Sequence, residues 1–294
     1  MCYYNGQKVT RDEFIRLKHL EKLVSKYQFL NRDVINGFDF GKSAVLIPTK
    51  KENGQEDVEL VQMEWGFIPD PLTWPFWETR EQVNVGRYPH KDHRGNFVEG
   101  LNFLNAVSEE ILFKNKVYRK AAIDRRCLFL SSGFYEWRHI FPINKKTGER
   151  RKTSVKYPYR IGLKDREFFW MAGIWQQWED AETGEVVDTA AIVTTKANQL
   201  MKQIHNTKER QPTMLSDGLA WEWIFGSLNE KRIQEIASWQ IPYEELDYYT
   251  LAKDFLSSHD PLKSYYYHDL PPLEVPGGDL NTAVPAGDQQ LGLF

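Results

Sequence analysis

The pattern of apolar and polar residues predicts helices near both ends of the chain. Residues 11–29 carry apolar side chains at three- and four-residue spacing, which is typical of an amphipathic helix. The apolar positions of that face are Phe14, Leu17, Leu20 and Val24. Thr10, with Glu13 three residues later, predicts the N-terminal cap of this helix. Further helices are predicted over residues 107–120, 196–204, 216–226 and 228–238.

The middle of the chain has the pattern of β-strands. Short runs of β-branched and aromatic residues alternate there with turns that contain glycine. Strands are predicted over residues 44–48, 58–68, 127–130, 133–137, 159–163, 168–178 and 188–194. The stretch 69–93 is rich in proline, tryptophan and charge, and predicts a loop. The expected fold class is therefore α+β, with a barrel-like, mainly antiparallel β core flanked by helices.

The last 24 residues differ from the rest in composition. They hold four prolines and four glycines and lack lysine and arginine, which predicts disorder. We therefore expect one folded domain over residues 1–270 and a disordered tail over residues 271–294.

Composition excludes several classes of protein. The 294 residues include only two cysteines, so neither a disulfide framework nor a cysteine-rich zinc site is expected. No apolar run reaches 18 residues, and the N-terminus lacks the pattern of a secretory signal. A cytoplasmic protein without membrane contact is expected.

The net charge of −3 conceals a basic segment. Between Lys114 and Arg160 there are 14 basic and three acidic side chains. This asymmetry favours a basic patch, and a solvated basic loop explains it equally well.

The second residue is chemically distinctive. Removal of Met1 would leave Cys2 with a free amine beside its thiol. An α-amine has a pKa of about 8, so much of it is a neutral nucleophile near neutral pH. A 1,2-aminothiol condenses with an aldehyde to an imine, which the sulfur closes to a thiazolidine.

Four further segments strengthen the interpretation of Cys2 as a chemically active residue. They are EWGFIPDP at 64–71, NAVSEE at 105–110, RRCLFLSSGFYEW at 125–137 and TTKANQLMKQIHNTKERQPTML at 194–215. With Met-Cys at the start, and in this order, they resemble the SOS response-associated peptidase (SRAP) family. The resemblance covers roughly residues 1–225.

The resemblance implies an activity and a site. Members of the family form a covalent thiazolidine between the N-terminal cysteine and an abasic site in single-stranded DNA. The catalytic residues carried over are Cys2, Asn105, Glu136 and His205. Asn105 would orient the amine or the sugar, Glu136 would shuttle protons, and His205 would exchange a proton with the sugar oxygen. Self-removal of Met1 and a lyase step would use the same groups, and no metal or cofactor is expected.

Each of these residues also has a plainer interpretation. Asn105 could cap a helix that starts near residue 108, and Glu136 could face solvent between Tyr135 and Trp137. His205 could serve only as a helix-end residue.

The DNA contacts are less well specified. The arginines of the family's MCGR and NAR-x-E motifs are Tyr4 and Val107 here, and three extra residues separate His205 from Arg210. Single-stranded DNA needs cations and flat rings. The candidates are Trp65, Trp74, Trp77, Arg125, Arg126, Lys208 and Arg210, with Trp65 expected mostly in the core.

The chain ends in Gln-Leu-Gly-Leu-Phe, which resembles the bacterial sliding-clamp-binding motif. Leu291, Leu293 and Phe294 would be the apolar anchors, and Gln290 would form hydrogen bonds. The predicted disordered tail would act as the tether.

The leading hypothesis is a monomeric, nucleoid-associated enzyme that crosslinks to abasic sites in the DNA damage or SOS response. Two alternatives stay open. One is a cysteine-dependent peptidase or amidase that acts on external substrates. The other is a non-catalytic module that binds DNA and the clamp, favoured if Met1 is retained.

Overall fold

The architecture comes from a computed structural model, which describes residues 2–8, 30–275 and 278–279. The predicted helix over 11–29 and the clamp-motif residues lie outside these ranges. The first nine strands are β1 (Tyr4–Lys8), β2 (Asn31–Asn36), β3 (Lys42–Lys50), β4 (Glu56–Trp65), β5 (His90–Lys91), β6 (Phe97–Val98), β7 (Asn105–Val107), β8 (Arg126–Ser131) and β9 (Gly133–Ile140). The other strands are β10 (Val155–Leu163), β11 (Phe169–Glu179), β12 (Val186–Lys196), β13 (Arg210–Pro212), β14 (Met214–Leu215), β15 (Leu246–Thr250), β16 (Glu274–Val275) and β17 (Gly278–Asp279).

The helices of the described ranges are short. The α-helices are α1 (Arg80–Arg87), α2 (Arg119–Asp124), α3 (Gln199–Ile204), α4 (Asp217–Phe225) and α5 (Glu230–Ala237). Single 3₁₀ turns lie at Gly37–Asp39, Ser108–Glu110, Tyr243–Glu245 and Phe255–Ser257.

Five strands close into a barrel in the order β12, β4, β3, β8, β11, and β11 pairs again with β12. The β4–β12 pair is parallel and the others are antiparallel. A second, antiparallel sheet runs in the order β15, β10, β9, β1, β2. This arrangement confirms the expected α+β class with a barrel-like, mainly antiparallel core.

The two faces of the barrel strands belong to two apolar clusters. Helices α4 and α5 pack on one face through Trp223 and Ile233, so this face is the outer one. The opposite face, with Val45, Phe129 and Ile192, joins the apolar side chains of the second sheet and of α3. Cys2 belongs to this inner cluster.

Strand β1 is joined to the barrel by buried amide side chains. Gln7 donates to the carbonyls of Ala44 and Leu130, both at 3.0 Å, and accepts from the Ala44 N–H at 2.8 Å. Asn5 donates to the Leu130 carbonyl at 3.2 Å and accepts from the Ser131 hydroxyl at 2.6 Å. These bonds satisfy buried backbone groups and set the position of the residues that precede β1.

The predicted strands and the three helices after residue 195 are confirmed, with ends shifted by a few residues. The prediction of a loop over 69–93 was wrong in part, because α1 forms there behind a reciprocal cap between Thr79 and Gln82. The predicted helix over 107–120 was also wrong in the main. That stretch is one 3₁₀ turn followed by loose turns, and α2 starts only at Arg119.

We expect Gln7→Ala to lower the free energy of unfolding by about 3 kcal/mol, because three buried hydrogen bonds are lost and their backbone partners stay unsatisfied. Urea denaturation measures this change. Gln55→Ala is the control, since Gln55 is exposed and should change stability by less than about 0.5 kcal/mol. Equal, small effects of the two substitutions would contradict the role given to Gln7.

Candidate functional site

Cys2 is enclosed by the inner core and has no solvent-exposed surface. Its thiol donates to the carbonyl of Tyr4, with Sγ 3.6 Å from the oxygen. The Tyr3 carbonyl accepts from the Gly37 N–H at 2.8 Å, which fixes the backbone beside Cys2. Burial raises the pKa of the Cys2 thiol far above its usual range, and the nearby Glu136 carboxylate adds to the shift. The thiol is therefore protonated in this environment.

Glu136 faces the core rather than solvent. In β9 its neighbours Tyr135 and Trp137 pack toward Phe255, and Glu136 points to the opposite side. Its register partner Tyr159 belongs to the inner cluster, and Glu136 is only 4% exposed. Burial raises the pKa of Glu136 from 4.5 to about 8. The solvent-facing interpretation of Glu136 is thus excluded.

His205 follows the last residue of α3 and turns its ring toward Glu136. The ring Nδ1 lies 2.8 Å from the Arg210 carbonyl, which can only accept a hydrogen bond. Nδ1 therefore carries the proton in the neutral ring, and Nε2 presents its lone pair. Nε2 lies 3.6 Å from Glu136 Oε2. Burial lowers the pKa of His205 to about 4. Near neutral pH the pair is thus a neutral imidazole facing a carboxylic acid.

Asn105 places an unused amide on the inner face. It is 7% exposed and pairs in parallel register with Ile192, whose side chain lies in the inner cluster. Neither polar atom of its side chain has a hydrogen-bond partner among the described residues. It caps no helix, because the 3₁₀ turn at 108–110 has Val107 as its N-cap. Leaving a buried amide unpaired costs about 1–3 kcal/mol, so these atoms are suited to bind a ligand.

The four predicted catalytic residues come from distant parts of the chain. Cys2 and Glu136 interact electrostatically, and Glu136 meets His205 directly. Leu104, the chain neighbour of Asn105, belongs to the same inner cluster as Cys2. The arrangement combines a thiol, a proton donor and acceptor pair, and an amide. These groups suit addition of a nucleophile to a carbonyl carbon followed by proton transfers.

The structure places the three tryptophans differently from one another. Trp65 is fully buried and donates to the Leu104 carbonyl at 3.0 Å, as expected of a core residue. Trp77 is 3% exposed and packs with Ile68 and Val83, so its ring is closed to a base in this conformation. Trp74 is partly exposed and remains the one candidate of the three with an accessible ring.

Three of the four predicted cations are bound to neighbouring protein groups. Arg125 donates to the Trp175 carbonyl and to Gln176. Arg126 donates to backbone carbonyls of α2 and of the end of α4, which ties these helices to the barrel. Arg210 forms an ion pair with Glu109. Lys208 is exposed and lines a depression of about 450 Å³.

The same depression holds cations that the sequence did not single out. Lys196 and Lys202 line it together with Lys208 and Arg210. They meet there because α3 packs beside the end of β12, and no sequence pattern signalled this. Glu209 lines the same depression and Arg210 is paired with Glu109, so the three lysines are the charges there that suit a nucleic-acid backbone.

An aromatic group also lies next to Cys2. The rings of Tyr3 and Phe38 are 4.7 Å apart, and Phe38 is 36% exposed. Tyr88 donates to the Phe38 carbonyl and packs edge-on against Phe40. Tyr4, which replaces a family arginine, packs against Trp137 instead. Exposed rings beside the thiol offer stacking surface where a charged contact is absent.

Comparison with known proteins agrees with the motifs. The profile of the family described as SOS response associated peptidase (SRAP) matches residues 24–257. The chain belongs to this family. The match begins after Cys2, so the assignment of Cys2 rests on its position and surroundings.

Individual relatives are more distant. Abasic site processing protein YoqW of Bacillus subtilis is 29% identical over 172 residues, which are 58% of this chain and 60% of that protein. Abasic site processing protein HMCES of Xenopus tropicalis is 23% identical over 232 residues, which are 71% of this chain and 58% of that protein. The chain thus matches about three fifths of these relatives' length. A crystal structure of a Bacteroides thetaiotaomicron protein aligns with a TM-score of 0.65 and 28% identity, and covers 88% of this chain and 96% of that one.

Within residues 2–8, 30–275 and 278–279, no three His, Cys, Asp or Glu side chains come together as a metal site. In the same part of the chain, no helix is both long and apolar enough to span a membrane.

We expect Glu136→Gln to stabilise the protein more at about pH 8 than at about pH 5. The raised pKa means that the folded chain keeps a proton which the unfolded chain loses above its ordinary pKa of 4.5. Stability is therefore lost as pH rises from about 4.5 to about 8, and glutamine cannot undergo this loss. Urea denaturation of both proteins at the two pH values measures the difference. An effect of the substitution that does not change with pH would contradict the buried, protonated state of Glu136.

Proposed function

We propose that this protein processes abasic sites in single-stranded DNA by forming a covalent link through Cys2. The observation that carries the proposal is the enclosure of the Cys2 thiol beside the Glu136–His205 pair. Its family membership and the names of its relatives support the substrate.

The reaction begins with release of Met1, which frees the α-amine of Cys2. Hydrolysis of the Met1–Cys2 peptide bond consumes one water. If the chain performs this step itself, the Cys2 thiol attacks the Met1 carbonyl and the neutral His205 ring accepts the thiol proton. The Cys2 amine is released with a proton, and water then hydrolyses the Met1 thioester. The same groups thus serve a peptidase step and the later DNA step.

Crosslinking then follows from ordinary carbonyl chemistry. The ring-opened abasic sugar presents an aldehyde at C1′. The amine adds to this carbon, and the protonated Glu136 delivers a proton to the carbinolamine hydroxyl, which leaves as water. The sulfur adds to the imine carbon, and its proton moves to the nitrogen. The balance is one aldehyde and one aminothiol giving one thiazolidine and one water.

The remaining groups assist with the sugar. The neutral His205 ring, with its lone pair on Nε2, is suited to remove the proton of the sugar hydroxyl as the ring opens. The unused amide of Asn105 can bond to the sugar hydroxyls. At the imine stage, loss of the 3′ phosphate by β-elimination is the lyase outcome, and closure to the thiazolidine competes with it.

The crosslink can be tested with the second buried cysteine as a control. We expect purified protein, shown by intact mass to lack Met1, to form a slow-migrating band with a single-stranded oligonucleotide carrying one abasic site. Cys2→Ala should abolish the band, because alanine keeps the amine but lacks the sulfur that closes the reversible imine to the stable ring. Cys127→Ala should retain it, because Cys127 lies within strand β8 and has no free α-amine beside its thiol with which to form the ring.

Other outcomes favour the alternative functions. A Met1-free protein that forms no band but hydrolyses peptides through Cys2 would be a peptidase or amidase. A protein that retains Met1, binds the oligonucleotide and leaves no covalent product would be a non-catalytic module.

The C-terminal sequence supports a second, separate proposal. Gln290, Leu291, Leu293 and Phe294 form a sliding-clamp-binding motif that holds the enzyme near replicating DNA. Residues 280–289 separate β17 from this motif. A flexible tether of about ten residues has an r.m.s. span of about 17 Å, which would raise the local concentration of the enzyme without fixing its orientation.

We expect a peptide of residues 281–294 to bind the bacterial sliding clamp in a fluorescence-anisotropy titration. Leu293→Ala with Phe294→Ala should abolish binding, because apolar anchors supply most of the affinity of such motifs. A peptide with Asp288→Ala is the control and should bind normally. The absence of binding by the unchanged peptide would exclude the motif.

A further inference from the structure

The side chain of Arg210 is held by protein groups. Its Nη1 lies 2.8 Å from both carboxylate oxygens of Glu109, and its Nη2 donates to the Thr194 carbonyl at 2.6 Å. Glu109 also accepts from the Ser108 hydroxyl at 3.1 Å. A guanidinium that binds a carboxylate through two short bonds has a fixed orientation, and its charge is already compensated.

The backbone of Arg210 is held as well. Arg210 is the first residue of β13 and pairs with Lys196 of β12. The neighbouring Glu209 carbonyl accepts from the Ala197 N–H at 2.9 Å. Side chain and main chain therefore anchor this residue to the end of β12.

The turn between His205 and Arg210 needs such an anchor. Glu209 adopts a left-handed conformation with φ of 50°, which costs a non-glycine residue about 1 kcal/mol. The turn closes on the His205 carbonyl, which accepts from the N–H groups of Lys208 at 3.3 Å and Glu209 at 2.8 Å. The Arg210 carbonyl that emerges from this turn accepts the Nδ1–H of His205 at 2.8 Å.

We propose that Glu109 and Arg210 form a positioning pair that holds His205 in its Nδ1–H tautomer with Nε2 aimed at Glu136. Glu109 fixes the guanidinium, the fixed residue presents its carbonyl, and the carbonyl selects the tautomer. The proposal rests on the proposed function, in which His205 acts through Nε2. It also reassigns Arg210, which the sequence places among the DNA contacts.

The two roles of Arg210 give opposite expectations for Glu109→Gln. If Arg210 contacts a DNA phosphate, the Glu109 carboxylate competes with that phosphate for the guanidinium. Glu109→Gln then frees the guanidinium and tightens DNA binding. If Arg210 positions His205, the substitution weakens the Glu109–Arg210 pair and His205 loses its fixed orientation. The crosslinking rate then falls by about tenfold, and the Kd for an undamaged oligonucleotide changes by less than about threefold. Rate and Kd are measured separately, by single-turnover gel assay and by anisotropy.

Arg210→Lys further distinguishes a phosphate contact from a positioning role of Arg210. Lysine keeps the charge but has one nitrogen, so it cannot hold the Glu109 carboxylate and the Thr194 carbonyl from two nitrogens of one rigid plane. A phosphate contact tolerates this change, whereas the positioning pair does not, so we expect a slower rate with an unchanged salt dependence of DNA binding. The proposal would be overturned if the slope of log affinity against log salt concentration fell by about one while the crosslinking rate at saturating DNA was preserved.

Nitrogen chemical shifts of ¹⁵N-labelled histidine report the tautomer directly. The His205 signals are assigned as those lost in His205→Gln. We expect the wild-type ring to be Nδ1–H and the Glu109→Gln ring to be partly Nε2–H. An unchanged tautomer together with an unchanged rate would also overturn the proposal.

The matched control is a second two-bond pair. Arg166 binds both oxygens of Asp217 at 2.9 and 3.2 Å on the surface. Asp217→Asn should leave the rate and the His205 tautomer unchanged. If wild-type protein without Met1 forms no crosslink, the proposed function fails, whereas the tautomer measurement still decides the positioning role.

Discussion

The site depends on fixing the N-terminal strand of the second sheet against the barrel. Gln7 and Asn5 fix this strand because their side-chain amides form hydrogen bonds with backbone groups of barrel strands β3 and β8. A reactive N-terminus is normally the most mobile part of a chain. Here the first strand is bound on both edges by other strands and beneath by buried side chains, so Cys2 reaches the core in one defined position.

Burial then sets the chemistry. Two charges in this core would each be costly, and the Glu136–His205 pair avoids the cost by holding one proton on the carboxyl and none on Nε2. The result is a donor and an acceptor in contact, both neutral near neutral pH. Such a pair can give and take protons in successive steps without creating an isolated charge.

Many of the strands and the candidate site residues are predictable from the sequence. Alternating apolar residues gave the barrel strands, and short motifs gave Asn105, Glu136 and His205. The ion pair of Arg210 with Glu109 is not predictable from the sequence, because the two residues are 101 positions apart and no local motif indicates the pairing. The burial of the Trp77 ring is not predictable for a similar reason, since helix α1 covers it and the composition of residues 69–93 predicts a loop. Patterns along the chain thus specify elements and reactive groups, whereas contacts between distant surfaces need the fold.

The enclosure of Cys2 has a consequence for survival under oxidative stress. Peroxides attack thiolates, and they do so fastest where the sulfur is exposed. A thiol that is buried and protonated reacts slowly with them, so we expect Cys2 to resist oxidation while it is enclosed. Under the proposed function, the sulfur would react with an electrophile that binding brings to it, and small diffusing oxidants would be poor competitors.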